Sequence, residues 1–455
     1  MTASESVPAL VRTPFGKPMR EKHFLFAQGH VNLNQGSFGG YPNTVRAALR
    51  RYQDDAEAEL DRFIRYVFPD ILRRSRSLLA AQLNCPVDEL VLCPNVTTAT
   101  NTVLRNLQWG DGNRVIYTSG VYGALEKTIE SVLEGTGFVG VKVDLDLPSR
   151  PDEIVAKFRS ALRREKEACK QADRGTVKLA IFDTIVSMPG LLMPFEELTQ
   201  VCREEGVLSM IDGAHGLGHV PIDLGKLDPD FFTSNCHKWL FVPRAVAAFF
   251  VPRRNQKLIR MTFPTSHGFV PRSLGVGDRV HDPMPSSAES NPMVRQFEYF
   301  GTMDGAPYCC IEEALRFIDV ACGGFEAVRL YCTDLARRAE ELFVETLGTE
   351  SFGIPEEERV FFAQVRMPIE VGEDEGKGQV PLEDVGIVTD WMHKVFADRY
   401  RTYMYLLFYR GAWWARLSAA VYVDFEDCQY AAKVLKDVSE QVCRGEYKRL
   451  DVDGR

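Results

Sequence analysis

The chain has no C-x-x-C pair, no Cys/His spacing suited to zinc, no apolar run of membrane-spanning length and no excess of basic residues. Each absence excludes something. Eleven cysteines, an odd count scattered over 455 residues, do not make a disulfide framework and point to a reducing interior, most simply the cytoplasmic compartment. No metal site is expected. The longest apolar stretches, such as Ala245–Val251, are strand-sized, so no membrane partner is expected either. With 54 Lys and Arg against 63 Asp and Glu, the formal net charge is −9, which argues against nucleic acid as the partner. The local basic run Arg163-Arg164-Glu165-Lys166 reads as a solvated helix face. Met1–Arg20 carries charges and prolines with no apolar core, unlike a secretory leader, and residues 1–30 read as a poorly ordered arm.

What is present is the composition of a globular enzyme, 45% hydrophobic and 26% charged, with length for two or three cores. Val31-Asn-Leu-Asn-Gln-Gly-Ser-Phe-Gly-Gly40 reads as a short strand entering a glycine-rich turn. Helical periodicity over about 43–84 breaks near Phe68-Pro69. From about residue 90 the pattern alternates. Strands are predicted at Glu89–Cys93, Asn113–Thr118, Val177–Asp183, Val207–Asp212, Asp230–Ser234 and Ala245–Val251; helices are predicted at Thr97–Leu107, from Ala124, and at Pro194–Glu205. Such alternation implies an α/β fold with a largely parallel sheet covered on both faces, whose ligands bind beyond the carboxyl ends of the strands. The stretch 282–294, rich in Pro and Ser, reads as a surface loop. After about 306 the chain is helical, then mixed, and an acidic loop from Glu370 to Asp384 precedes a helix–strand–helix end.

Two strand ends carry the chemistry. In Met210-Ile-Asp-Gly-Ala-His-Gly216 an aspartate closes an apolar strand, with Gly and His following. In Thr233-Ser-Asn-Cys-His-Lys-Trp239 a lysine lies between two aromatic rings just after another strand. An amine in apolar surroundings loses basicity and becomes a nucleophile. Pyridoxal 5'-phosphate (PLP) chemistry needs this pair: an amine to join the aldehyde, and a carboxylate to keep the pyridine nitrogen protonated so that the ring accepts carbanion electrons. A third segment, Pro94-Asn-Val-Thr-Thr-Ala-Thr100, opens a helix with hydroxyls. Alone it reads as a plain helix cap; beside the other two it suits a phosphate.

These motifs, with Leu33-Asn-Gln-Gly-Ser-Phe-Gly, Pro264-Thr-Ser-His-Gly-Phe, Phe297-Glu-Tyr-Phe-Gly-Thr-Met-Asp and Trp414-Ala-Arg-Leu-Ser-Ala, resemble the class V aminotransferase-like PLP enzymes from about residue 31 to 447. That family includes cysteine desulfurases and isopenicillin N epimerase-like proteins. Within it the likeness is greatest to the fungal hercynylcysteine sulfoxide lyases of ergothioneine biosynthesis, with a second likeness to the PLP cyclases of loline biosynthesis. The resemblance implies PLP-dependent transferase fold type I: a mainly parallel seven-stranded large domain (75–305) and a smaller α+β domain (31–74 and 306–455), after an arm (1–30).

It also implies roles. Lys238 joins the cofactor, Asp212 meets its ring nitrogen and Tyr122 stacks on the ring, where its phenol also serves as an acid; the alternative for Tyr122 is an ordinary core tyrosine. Thr97, Thr98, Ser234 and His237 hold the phosphate, and Thr302 reaches it from a neighbouring subunit, which makes the protein a homodimer with its active site at the subunit interface. Ser187 bonds the ring hydroxyl, and His215, in the Asp212 loop, completes the cofactor set. Arg416 binds the substrate α-carboxylate. Arg65 either takes a second acidic group or makes a surface salt bridge, and Asn34 and Gln35 face the substrate. Relatives often carry His where Gln35 stands, a departure that leaves the substrate open, while His267 agrees with the lyase. Cys322 in Ala321-Cys-Gly-Gly has the context of a helix C-cap, not of a persulfide carrier.

The expected activity is that of a lyase on a small-molecule amino acid, breaking a C–S bond of a cysteine conjugate or sulfoxide by β-elimination to give pyruvate and ammonia. Decarboxylating cyclisation or γ-elimination is the alternative, followed by epimerisation or transamination; a non-catalytic binding protein that kept the fold is a different class altogether.

Overall fold

The computed structural model describes residues 10–261, 263–273, 284 and 291–449. The chain divides into two compact units, one taking in Thr44–Ser187 and Met193–Phe317, the other Ala9–Asn43, Met188–Leu192 and Ile318–Arg455. Residues 44–74, grouped in the sequence reading with the smaller domain, fall in the first unit.

The first unit is built on a seven-stranded sheet. Its strands are β1 (Leu90–Cys93), β2 (Arg114–Thr118), β3 (Val139–Val143), β4 (Val177–Asp183), β5 (Leu208–Asp212), β6 (Phe231–Asn235) and β7 (Ala247–Phe250), in spatial order β1-β7-β6-β5-β4-β2-β3. Neighbours from β6 to β3 run parallel, and β7 pairs antiparallel with both β6 and β1. Only β7 is reversed, so β1, β2, β4, β5 and β6 all present their carboxyl ends at one edge. The central strands are buried along nearly their whole length, the signature of a sheet covered on both faces.

Helices supply that cover: α1 (Asn43–Ala58), α2 (Phe68–Gln82), α3 (Val96–Asn106), α4 (Gly123–Leu133), α5 (Pro151–Gln171) and α6 (Phe195–Glu205). Helix α6 buries Leu198, Val201 and Cys202 on one face and stops at Gly206, whose left-handed φ of 65° closes the C-cap. Between α1 and α2 the expected interruption falls earlier than Phe68-Pro69. Helix α1 ends at Ala58, a wide turn covers Phe63–Val67, and Pro69 lies in the first turn of α2, where its missing N–H costs nothing. Within this unit Ser75 of α2 donates to the Tyr308 carbonyl, and buried Arg76 donates to the Leu90 and Val87 carbonyls. Residues 274–283 and 285–290 of the stretch read as a surface loop lie outside the described residues; Pro292–Gln296 is a short helix capped by Asn291.

The second unit carries a three-stranded antiparallel sheet, β8 (Phe362–Arg366), β9 (Tyr405–Tyr409) and β10 (Ala412–Ser418), in order β8-β10-β9. Its long helices are α7 (Phe325–Leu347), α8 (Val385–Asp398) and α9 (Phe425–Cys443). The end expected as helix–strand–helix is therefore helix–hairpin–helix, with Arg410 (φ 51°) and Gly411 (φ 74°) forming a two-residue turn. The arm is also more structured than its composition suggested. Lys17–His23 is helical, Leu10, Met19 and Phe24 are buried, and Arg20 pairs with Asp427. At 31–40 the expected strand is reduced to a single bridge at Val31, and Gln35–Phe38 forms one helical turn.

Candidate active site

Asp212 ends β5, and the chain turns at once through Gly213. A Cβ there would lie 2.7 Å from the Thr233 carbonyl and the Phe232 ring, so only glycine lets the loop leave β5 so close to β6. Asp212 is buried, and its Oδ1 accepts the Ala214 N–H at 2.8 Å. Gly218, at φ +84°, brings the same loop against the Trp239 carbonyl. Between these glycines lies His215. Its Nε2 is 3.1 Å from the Lys238 Nζ, and its Nδ1 accepts the Trp239 indole N–H at 3.3 Å.

An indole N–H can only donate, so the neutral His215 ring carries its proton on Nε2 and offers it to Lys238. An acceptor amine is a free base. That hydrogen bond serves the uncharged, nucleophilic amine, while the neighbouring carboxyls of Asp212 and Asp183 serve the ammonium.

Lys238 lies on the one-turn helix Cys236–Trp239 that follows β6. Burial pushes the Asp212 carboxyl up from the usual carboxylate range, while the Ala214 N–H and the charge of Lys238 pull it down. Lys238 and Asp212 thus lie in one electrostatic neighbourhood.

Sequence reasoning passed over Asp183. It ends β4 directly opposite Asp212 in the strand register and is buried; its Oδ2 has no hydrogen-bond partner. Burial raises its carboxyl well above the usual range, Asp212 adds to the rise and Lys238 opposes it. The signal was available, because an apolar strand closing on aspartate is the pattern that singled out Asp212.

The phosphate candidates divide. Asn95 caps α3 by accepting the Thr98 N–H at 2.8 Å and the Thr98 hydroxyl at 3.0 Å, and Thr97 beside it is exposed. Asn235 at the end of β6 accepts the Val96 N–H at 3.2 Å, joining the start of α3 to the Lys238 turn. His237 has a buried Nδ1 with no partner, and burial, then Lys238 and Arg244, lower its pKa to about 4, so the ring is neutral. Ser234 is placed differently. Its fully buried hydroxyl donates to the Gly213 carbonyl and accepts the Leu217 N–H, bracing the His215 loop.

The remaining candidates of this unit are spread more widely. Tyr122, at the start of α4, is 58% exposed rather than a core tyrosine, and Ser187 is half-buried in the loop after β4. His267 is buried with its Nε2 3.3 Å from the Glu298 carboxylate and its ring edge-on to Tyr299. Arg65 is half-exposed and pairs with Asp61 at 2.8 Å. Thr302 is exposed on the wall of a cavity of about 660 Å³ lined by Phe63, Phe68, Leu72, Tyr308 and Glu298; Lys238 does not line that cavity.

In the second unit Arg416 is 1% exposed on β10, with its guanidinium over the Phe362 ring at 4.3 Å and the Tyr405 ring at 5.0 Å. Gln35 is engaged internally. Its amide donates to the Gly40 carbonyl and accepts the Gly40 N–H, and its Oε1 also accepts the buried Tyr422 hydroxyl at 2.7 Å. Asn34 accepts the Ser37 hydroxyl at 2.9 Å.

The donor set fits PLP. An amine and a carboxylate share one buried neighbourhood, an orphaned imidazole nitrogen lies beside them, and Asn235 ties that turn to a helix start bearing Thr97 and Thr98. Among the described residues, no group of three or more His, Cys, Asp or Glu could hold a metal ion, and no helix is long and apolar enough to cross a membrane.

Comparison with known proteins adds the lineage. The chain is 36% identical over 451 residues to the L-cysteine desulfhydrase-like protein lolT1 of Epichloe uncinata, covering 96% of this chain and 98% of that one. It is 28% identical over 429 residues to the hercynylcysteine sulfoxide lyase of Schizosaccharomyces pombe, covering 93% and 97%. Among solved structures, a cysteine desulfurase from Thermococcus onnurineus superposes with a TM-score of 0.66 at 14% identity, over 97% of this chain and 99% of that one. The family model for class-V aminotransferases matches residues 41–369, and the chain belongs to that family.

Proposed function

We propose that the protein is a PLP-dependent carbon–sulfur lyase that cleaves a cysteine conjugate or its sulfoxide by β-elimination. The observation that carries this reading is the trio at adjacent strand ends: half-buried Lys238 held by buried His215, with buried Asp212 in its field. Bound there, the cofactor supplies an electron sink for the charge that develops at the substrate Cα.

The protein's residues do the rest. Lys238 is the amine that would hold the cofactor by its aldehyde, and its Nζ is the base placed to accept the substrate α-proton. Asp212 keeps the ring nitrogen protonated. Thr97, Thr98 and neutral His237 hold the phosphate, with Thr302 of a second copy. Ser187 and His215 would meet the ring hydroxyl, and Tyr122 would cover the ring face. The Arg416 fork holds the α-carboxylate, with a flat aromatic bed beneath it to fix its plane. The Cβ–S bond breaks with its electron pair leaving on sulfur, which takes a proton from His267 or Tyr122. The three-carbon remainder is hydrolysed to pyruvate and ammonia.

The names of the two curated relatives, a desulfhydrase-like protein and a sulfoxide lyase, support C–S chemistry on an amino acid. The exposed position of Thr302 suits a homodimer, and eleven free cysteines suit a reducing, cytoplasmic setting. Incubation with a panel of S-substituted cysteines and their sulfoxides, scoring pyruvate and carbon dioxide together, tests the reading. Pyruvate is expected from at least one. Its absence from every conjugate ends the proposal, and carbon dioxide in its place moves the chemistry to decarboxylation.

A further inference from the structure

Asp183 has no part in the mechanism above, yet it occupies the most consequential position left on the sheet edge. Strands β4 and β5 pair in parallel register with Asp183 directly opposite Asp212, which puts their Cα atoms about 5 Å apart and both side chains on one face of the sheet. Both carboxyls are buried. The charged groups acting on Asp183 are Asp212 on β5 and Lys238 on the turn after β6. One cation cannot neutralise two buried anions, and once Lys238 is joined to the cofactor its charge serves the ring. Two carboxyls this close in a dry site hold a proton between them. Asp212 has its backbone donor in Ala214 N–H, whereas the Asp183 Oδ2 faces no donor. A carboxylate at 183 has an unsolvated oxygen; a carboxylic acid carries its own hydrogen and removes the deficit.

We propose that Asp183 bears the proton of this pair and acts as a positioning residue, donating to Asp212 so that the two carboxyls present a single negative charge to the cofactor's ring nitrogen. The inference rests on the PLP reading and deepens it: the strength of the electron sink is set by a second, neutral acid behind the charged one.

The test is an infrared difference spectrum between native holoenzyme and Asp183→Asn at neutral pH. Loss of one carboxylic-acid carbonyl band is expected; loss of a carboxylate band overturns the proposal. Affinity of the apoprotein for PLP supplies a second readout. Asp183→Ala, which removes the donor, should weaken binding about tenfold, while Asp183→Asn, which keeps a neutral donor, should stay within about twofold. Equal losses in both variants count against the proposal. Should Asp183→Asn fail to fold, native enzyme grown on carboxyl-labelled aspartate decides, since absence of any isotope-shifted acid band overturns the idea. Native protein that takes up no PLP sinks the cofactor reading itself, whereas a holoenzyme that loses a carboxylate band sinks this inference alone.

Discussion

The carboxyl edge of the seven-stranded sheet and the face of the three-stranded sheet both bury charge, and they do it in opposite ways. At the first, Asp183, Asp212, His215 and Lys238 are all titratable and act on one another, so each proton depends on its neighbours. At the second, Arg416 is a permanent cation packed against Phe362 and Tyr405, and no proton leaves it at any working pH. The difference teaches a division of labour. Proton transfer requires groups whose charge can move, and recognition of a constant carboxylate requires one whose charge cannot.

Removing the most adjustable group should have the largest effect. Lys238→Ala is expected to lower pyruvate formation by about a thousandfold or more and to abolish the visible band that borohydride removes, as followed by steady-state assay and absorbance. Asp212→Asn keeps the shape and loses the charge; kcat should fall about a hundredfold, and an unchanged kcat would remove Asp212 from the site. Arg416→Lys keeps the charge and loses the fork. KM should rise about tenfold to a hundredfold with a smaller change in kcat, and an effect confined to kcat would contradict a purely binding role.

Trp239→Phe probes the relay most finely. Without the indole N–H, His215 can carry its proton on Nδ1 and accept from the Lys238 ammonium, so the amine becomes more basic by up to about one unit. The pH profile of reductive labelling of Lys238 in apoprotein should shift upward accordingly; a downward shift would reverse the assigned tautomer. The smallest effect concerns His237, whose pKa falls from 6.5 to about 4 in the folded protein. The unfolded chain binds more protons across that interval, so stability rises with pH through it and is lost as pH falls from 6.5 towards 4. Urea unfolding of apoprotein should show this slope, and His237→Gln should flatten it.

Much of the architecture was legible because apolar runs stop abruptly at polar residues. The ends of β1, β2, β4, β5 and β6 could be set within a residue or two, and with them Lys238 and Asp212. Strand β3 was not, because as an edge strand it has no continuous apolar run: Val139, Val141 and Val143 alternate with Gly140 and Lys142, and Val139 and Lys142 are exposed. Asp183 went unnoticed although its local pattern equals that of Asp212, since what distinguishes it is its place opposite another acid, a property of pairing between strands. The engagement of Gln35 was illegible for a related reason: its partner Tyr422 lies 387 positions away. Ser234 was visible as a polar residue in the right place, but only the fold shows its hydroxyl spent on Gly213 and Leu217.

The reversal of β7 has a consequence of its own. Parallel neighbours need a long crossover, but β6 returns directly into β7, and the Cys236 N–H donates to the Val246 carbonyl at 3.0 Å across the return. The backbone under Lys238 is therefore staked on both sides and cannot drift when Nζ lets go. Release and recapture become the swing of one tethered arm, at an effective local concentration far above that of any free amine in the cell.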